Sequence, residues 1–65
     1  MKKIVIKGTK TEVIEAMEEV GYKMEGFNDV SIEAGYFYAY KEDYQGADYF
    51  TINVSAEEIY TLTQY

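Results

Sequence analysis

Carboxylates and tyrosines are the residues of this chain that could do chemistry. The sequence has 12 aspartates and glutamates and 8 tyrosines, but no histidine and no cysteine. Carboxylates paired with each other or with tyrosine are the groups that glycoside hydrolysis and proton transfer use. Imidazole bases, thiolate nucleophiles and the nitrogen and sulfur ligands of zinc are excluded. The five glycines form neither a phosphate-binding loop nor a dinucleotide fingerprint, so no catalytic motif is present.

Size and spacing argue against an enzyme or a metal site. The acids around Gly46, from Glu42 to Asp48, do not have the spacing of a calcium-binding EF-hand loop. A chain of 65 residues has little room to enclose the roughly 300 Å3 that a ligand pocket needs. We therefore expect no catalytic residue, no metal and no cofactor. An enzyme or small-ligand binder remains a remote alternative.

The distribution of charge indicates what kind of partner the chain binds. The formal net charge is −6. Residues 1–10 carry four lysines and no acid, whereas residues 11–65 carry all 12 acids and only Lys23 and Lys41. This excess of acid and the absence of arginine argue against direct nucleic-acid binding, and they favour a basic protein surface as the partner. Solubility alone is the competing explanation.

Candidate contact residues are the glutamates of the first predicted helix and the acids and tyrosines of a predicted hairpin tip. Tyrosine is favoured at interfaces because it buries a large area and keeps a polar tip. The predicted partner-binding residues are Glu12, Glu15, Glu18, Glu19, Glu42, Asp43, Tyr44, Asp48 and Tyr49. The competing explanation for the glutamates is a solvated helix face.

The N-terminal third has the clearest local signals. The short β-branched run 4–6, ended by Gly8, predicts a strand. Thr9 and Glu12 fit a capping box that begins a helix, and Gly21 suits its left-handed end. The residues predicted to face inward are Val13, Ile14, Ala16, Met17 and Val20.

Two strands and a hairpin are predicted for the middle of the chain. Residues 35–42 are dense in aromatics, and residues 49–54 alternate between apolar and polar. A three-residue loop with Gly46 in a left-handed bulge would pair Tyr40 with Phe50. This register places Tyr36, Tyr38 and Tyr40 on the core side, and Phe37, Ala39, Lys41, Tyr49, Thr51 and Asn53 outside. A one-residue slip would reverse the assignment.

The remaining segments complete a three-stranded α+β fold. Residues 22–35 are either a loop or, at 30–32, the start of an edge strand. Ser55 and Glu58 predict a second capping box and a short helix with Ile59 and Leu62 inward. The predicted order is β-α-(loop)-β-β-α, a three-stranded antiparallel sheet in the order 1-3-2 with two helices on one face. This architecture resembles a truncated ferredoxin-like fold, in one domain spanning residues 1–65.

These features predict a small acidic protein-binding module. The leading hypothesis is an inhibitor of the kind that bacteriophages and mobile elements encode, blocking a basic, nucleic-acid-binding site on its partner. The alternative is a structural or self-associating domain that forms a homo-oligomer, a homodimer being the simplest. The apolar runs are too short for a signal peptide or a membrane span, so we expect a cytoplasmic protein without membrane contact.

Overall fold

A five-stranded antiparallel sheet organises the protein. A computed structural model describes residues 3–43 and 45–65. Within them the elements are β1 (Val5–Gly8), α1 (Lys10–Val20), β2 (Tyr22–Lys23), α2 (Asp29–Ala34), β3 (Tyr36–Lys41), β4 (Asp48–Val54) and β5 (Tyr60–Gln64). The strand order is β1-β5-β4-β3-β2. The predicted α+β composition is confirmed, but the three-stranded sheet in the order 1-3-2, and with it the truncated ferredoxin-like architecture, is wrong.

The first helix forms as its local signals predict. The Thr9 hydroxyl accepts a hydrogen bond from the Glu12 amide at 3.3 Å, and the Glu12 carboxylate accepts one from the Thr9 amide at 2.8 Å. Gly21 ends the helix at φ 105°, a left-handed conformation that glycine adopts without strain. Val13 and Met17 are buried, whereas Val20, at the last turn, is exposed.

The predicted C-terminal helix is wrong, because its residues form the fifth strand. The Ser55 hydroxyl accepts hydrogen bonds from the amides of Glu57 and Ile59, which supports a hairpin turn in place of a helix start. Leu62 then lies at the centre of β5, paired with Ile6 on one side and Ile52 on the other. The new strand separates β1 from β4, and this insertion overturns the predicted strand order.

The register between β3 and β4 also differs from the prediction. Phe50 pairs with Phe37, where Tyr40 was expected, so the strands are displaced by three residues. An odd displacement exchanges the two sides of a strand. Phe37 and Ala39 are therefore buried, and the tyrosines of β3 are exposed. Gly21 and Gly35 have positive φ. The predicted hairpin loop includes Tyr44, which lies outside the described residues, and the left-handed Gly46 stays a prediction.

The segment between α1 and β3 contains a short edge strand and a second helix. β2 pairs with the end of β3. α2 begins with a capping box in which the Asn28 side chain accepts from the Ser31 amide at 3.1 Å and the Ser31 hydroxyl accepts from the Asn28 amide at 2.9 Å. The possible strand at 30–32 is thus wrong. Neither helix in the described part of the chain has the length and apolar character that crossing a membrane requires.

The core lies between α1 and one side of the sheet. Tyr22 meets Phe50 edge-on with 5.4 Å between ring centroids, and Phe37 stacks on Phe50 at 5.7 Å. The fully or nearly buried residues are Val13, Met17, Tyr22, Phe27, Phe37, Ala39, Phe50, Ile52 and Leu62. Within residues 3–43 and 45–65, α1 packs on β1, β2 and β5, and we call the side of the sheet opposite α1 the open side.

Leu62→Ala is expected to lower the free energy of unfolding by about 2–5 kcal/mol, because it leaves a cavity at a fully buried site. A domain of this size is stable by roughly 3–10 kcal/mol, so the variant should be close to unfolding. Val5→Ala, at a residue 62% exposed, serves as the control and should change stability by less than about 0.5 kcal/mol. Urea denaturation measures both, and equal losses would contradict the central position of β5.

The capping box should make stability depend on pH. Hydrogen bonds from the Thr9 backbone amide and the Thr9 side chain lower the pKa of Glu12 below its ordinary value. A lowered folded-state pKa adds stability above the ordinary glutamate pKa, and that stability is lost as the pH falls through the folded value. The urea midpoint should therefore drop more between about pH 7 and about pH 3 in the wild type than in Glu12→Gln. An identical drop in both proteins would refute this role.

Candidate functional site

The open side of the sheet displays a tyrosine face, defined by Tyr36, Tyr38, Tyr40, Tyr49 and Tyr65. Side chains alternate along a strand, so residues next to buried Phe37, Ala39, Phe50 and Leu62 project to the opposite side. Pairing brings Tyr38 opposite Tyr49. Tyr65 joins them beyond β5, where its amide donates to the Tyr49 carbonyl at 2.9 Å. The face therefore crosses three neighbouring strands.

The rings of the tyrosine face contact one another. Tyr36 stacks on Tyr49 at 5.5 Å between centroids, and Tyr38 and Tyr65 meet Tyr49 edge-on at 5.3 and 5.7 Å. The Lys3 ammonium lies 5.2 Å from the Tyr65 ring centroid. Such pairs are worth about 0.5–1.5 kcal/mol each beyond area burial, so the rings hold one another in place. Four contacting rings make a preorganised aromatic surface.

The strand side chains that project to the open side include lysines but, among the described residues, no acid. Lys7 pairs with Thr61 on the open side of β1, and Lys23 pairs with Tyr40 across β2. In the part of the chain that the structure describes, the only acid within a strand is Asp48. Its carboxylate accepts a hydrogen bond from the buried Tyr22 hydroxyl, on the core side of the sheet. The tyrosine face is thus bordered by positive charge at the two outer strands.

A second surface, the acidic strip, follows α1 on the other side of the molecule. Glu12, Glu15, Glu18 and Glu19 are all exposed. At each end of α1 a turn adds two more acids: Glu57 and Glu58 line a depression with Thr9, Lys10 and Thr11, and Glu42 and Asp43 line one with Gly21 and Lys41. The strip therefore consists of Glu12, Glu15, Glu18, Glu19, Glu42, Asp43, Glu57 and Glu58.

The nine predicted partner-binding residues do not form one site. Six lie in the acidic strip, namely Glu12, Glu15, Glu18, Glu19, Glu42 and Asp43. Tyr49 lies on the tyrosine face, on the opposite side of the sheet from α1. Asp48 is bonded to Tyr22, and Tyr44 lies outside the described residues. The prediction thus combined parts of two surfaces.

Sequence reasoning missed most of the tyrosine face. Tyr36, Tyr38 and Tyr40 were assigned to the core, and Tyr65 was assigned no role. The distinction between tyrosine and phenylalanine was the available signal: three buried hydroxyls would each need a hydrogen-bond partner, whereas Phe37 and Ala39 need none. Glu57 and Glu58 were missed because their turn was predicted as a helix start.

A surface groove lies beside the tyrosine face. An open groove of about 560 Å3 runs between α2 and β3, lined by Val30, Ala34, Tyr36, Tyr38 and Tyr40 among others, with no charged side chain in its lining. No group of three or more potential metal-ligating side chains occurs within residues 3–43 and 45–65.

Comparisons with models of known protein families, with curated protein sequences and with solved structures find no match in any of the three.

Asp48→Ala should lower stability by about 1–3 kcal/mol, because it removes the acceptor of a hydrogen bond from a buried tyrosine. Asp43→Ala removes the same group from an exposed turn and should change stability by less than about 0.5 kcal/mol. Urea denaturation of the two variants separates a structural acid from a surface acid. An Asp48→Ala protein as stable as Asp43→Ala would show that Asp48 is free to contact a partner.

Proposed function

We propose that the chain is a small protein-binding module that acts without catalysis and docks its acidic strip against a positively charged site on a partner protein. The observation that carries the proposal is that eight carboxylates lie along α1 and its flanking turns, where two lysines, Lys10 and Lys41, line the same depressions. Lys10, the lysine of α1, pairs at 3.7 Å with Asp29, outside the strip, and this is the only ion pair among the described residues. The exposed carboxylates of the strip therefore give this surface a negative electrostatic potential.

Charge spacing along α1 favours a partner that ordinarily binds nucleic acid. A helix rises 1.5 Å per residue, so the four glutamates from Glu12 to Glu19 follow at steps of about 4.5, 4.5 and 1.5 Å along its axis, an average of one charge per roughly 3.5 Å. One strand of duplex DNA carries a charge every 3.4 Å or so. A groove lined with lysine and arginine would therefore meet a similar density of negative charge on α1 and on a DNA strand. We therefore propose that the module occupies such a groove as an inhibitor.

The proposed setting follows from the same chemistry. Inhibitors of nucleic-acid-binding proteins act where those proteins act, so we place the module in the cytoplasm. Bacteriophages and mobile elements are a source consistent with a short, strongly acidic chain. Electrostatic attraction over a Debye length of roughly 8 Å would accelerate its encounter with the partner.

Reversing two charges in the strip should weaken the complex without unfolding the module. Glu15→Lys with Glu18→Lys places positive charge against a basic site, and we expect the dissociation constant to rise about tenfold or more. The partner is captured from cell extract on immobilised wild-type chain, and its affinity for each variant is then measured across a salt titration. Duplex DNA added to the wild-type complex should release the partner.

The matched control is Glu25→Lys with Glu33→Lys, an identical charge change at exposed positions outside the strip. It should retain most of the affinity and the salt dependence. A captured partner that is not basic, or that binds both double variants equally and ignores salt, would refute the electrostatic proposal.

A further inference from the structure

The tyrosine face exposes more aromatic surface than the fold requires. Tyr36, Tyr38, Tyr40 and Tyr65 are 43, 50, 55 and 82% exposed. At about 200 Å2 for a full tyrosine side chain, they present roughly 450 Å2. Val5 and Val30, which are also exposed, bring the total to roughly 650 Å2 with the tyrosine hydroxyls included. The largest apolar patch of a typical monomer covers about 300–600 Å2, so the apolar part of this face lies toward the upper end of that range.

We propose that the tyrosine face packs against the tyrosine face of a second copy of the chain in a two-fold symmetric dimer. The two sheets would lie about 10 Å apart with a shared layer of tyrosines between them. Both copies of α1 would then lie on the outside. The dimer would present two acidic strips, one on each outer side.

The available area matches what a small dimer needs. Specific interfaces in the lower half of the usual size range bury about 600–800 Å2 on each partner. The apolar part of the face supplies most of this, and Thr51, Thr61 and Thr63, which share the open side, supply polar area. A domain of about 60 residues buries only about 60% of its unfolded surface, so a second copy adds burial that the single chain lacks.

Single-stranded nucleic acid is the competing occupant, because bases stack on exposed tyrosines. The chain has a net charge of −6 and no arginine, so a phosphate backbone would be repelled by most of its surface. A second copy places only the carboxylate-free strands in contact. The charge of the chain therefore favours the dimer.

Sedimentation velocity over a series from low micromolar to near-millimolar protein tests the proposal. The wild type should sediment at twice the chain mass of 7.5 kDa at the upper concentrations. Tyr38→Glu places a charge in the centre of the face at a half-exposed position, and it should raise the dimer dissociation constant about tenfold or more. Tyr40→Glu should act in the same direction.

The control is Thr11→Glu, which adds the same charge at an exposed position on α1. It should dimerise like the wild type, and circular dichroism confirms that all variants are folded. A wild type that stays monomeric throughout, or a dimer that Thr11→Glu breaks and the tyrosine variants do not, would overturn the proposal. So would binding of a single-stranded oligothymidylate that Tyr38→Glu abolishes. Because the tyrosine variants lie outside the acidic strip, their effect on the dimer is independent of the proposed partner binding.

Discussion

The register between β3 and β4 is the constraint on which the rest of the structure depends. Pairing Phe37 with Phe50 places both rings in the core and turns Tyr36 and Tyr38 to the open side. A shift of one residue would exchange the sides and bury tyrosine hydroxyls beneath α1 without the partner that Tyr22 has in Asp48. Burying a phenol hydroxyl without a hydrogen-bond partner costs free energy. Phe37 and Ala39 of β3 therefore determine which side of the sheet faces the core and which side faces solvent.

The parts of the fold that could be predicted from sequence are those that local contacts determine. α1 has its capping box, its apolar face and its terminal glycine within a dozen residues, and all three are present. β5 could not be predicted in this way, because the Ser55 hydroxyl can cap a helix or support a hairpin turn equally well. Only the distant pairing of Leu62 with Ile6 and Ile52 decides between them. α2 was missed because six residues give too short a periodic pattern.

The two candidate surfaces arise because the two sides of the sheet are covered differently. Its core side is covered by α1, which carries its glutamates outward, and its open side is left to tyrosine, threonine and lysine. The acids of α1 were identified from sequence because helical spacing alone placed them outside. The tyrosine face was not, since its position required the strand register. A surface made by neighbouring strands is a tertiary property, whereas a helix face is a local one.

The central position of β5 has a consequence for how the chain folds. Residues 5–8 pair with residues 60–63, which are more than 50 positions away in the chain. The contact order of the sheet is therefore high, and folding should be slow for a domain of this length. On a ribosome, β1 and the β3–β4 hairpin would emerge first as two separate pieces with open edges. The sheet becomes continuous only when Leu62 enters between them.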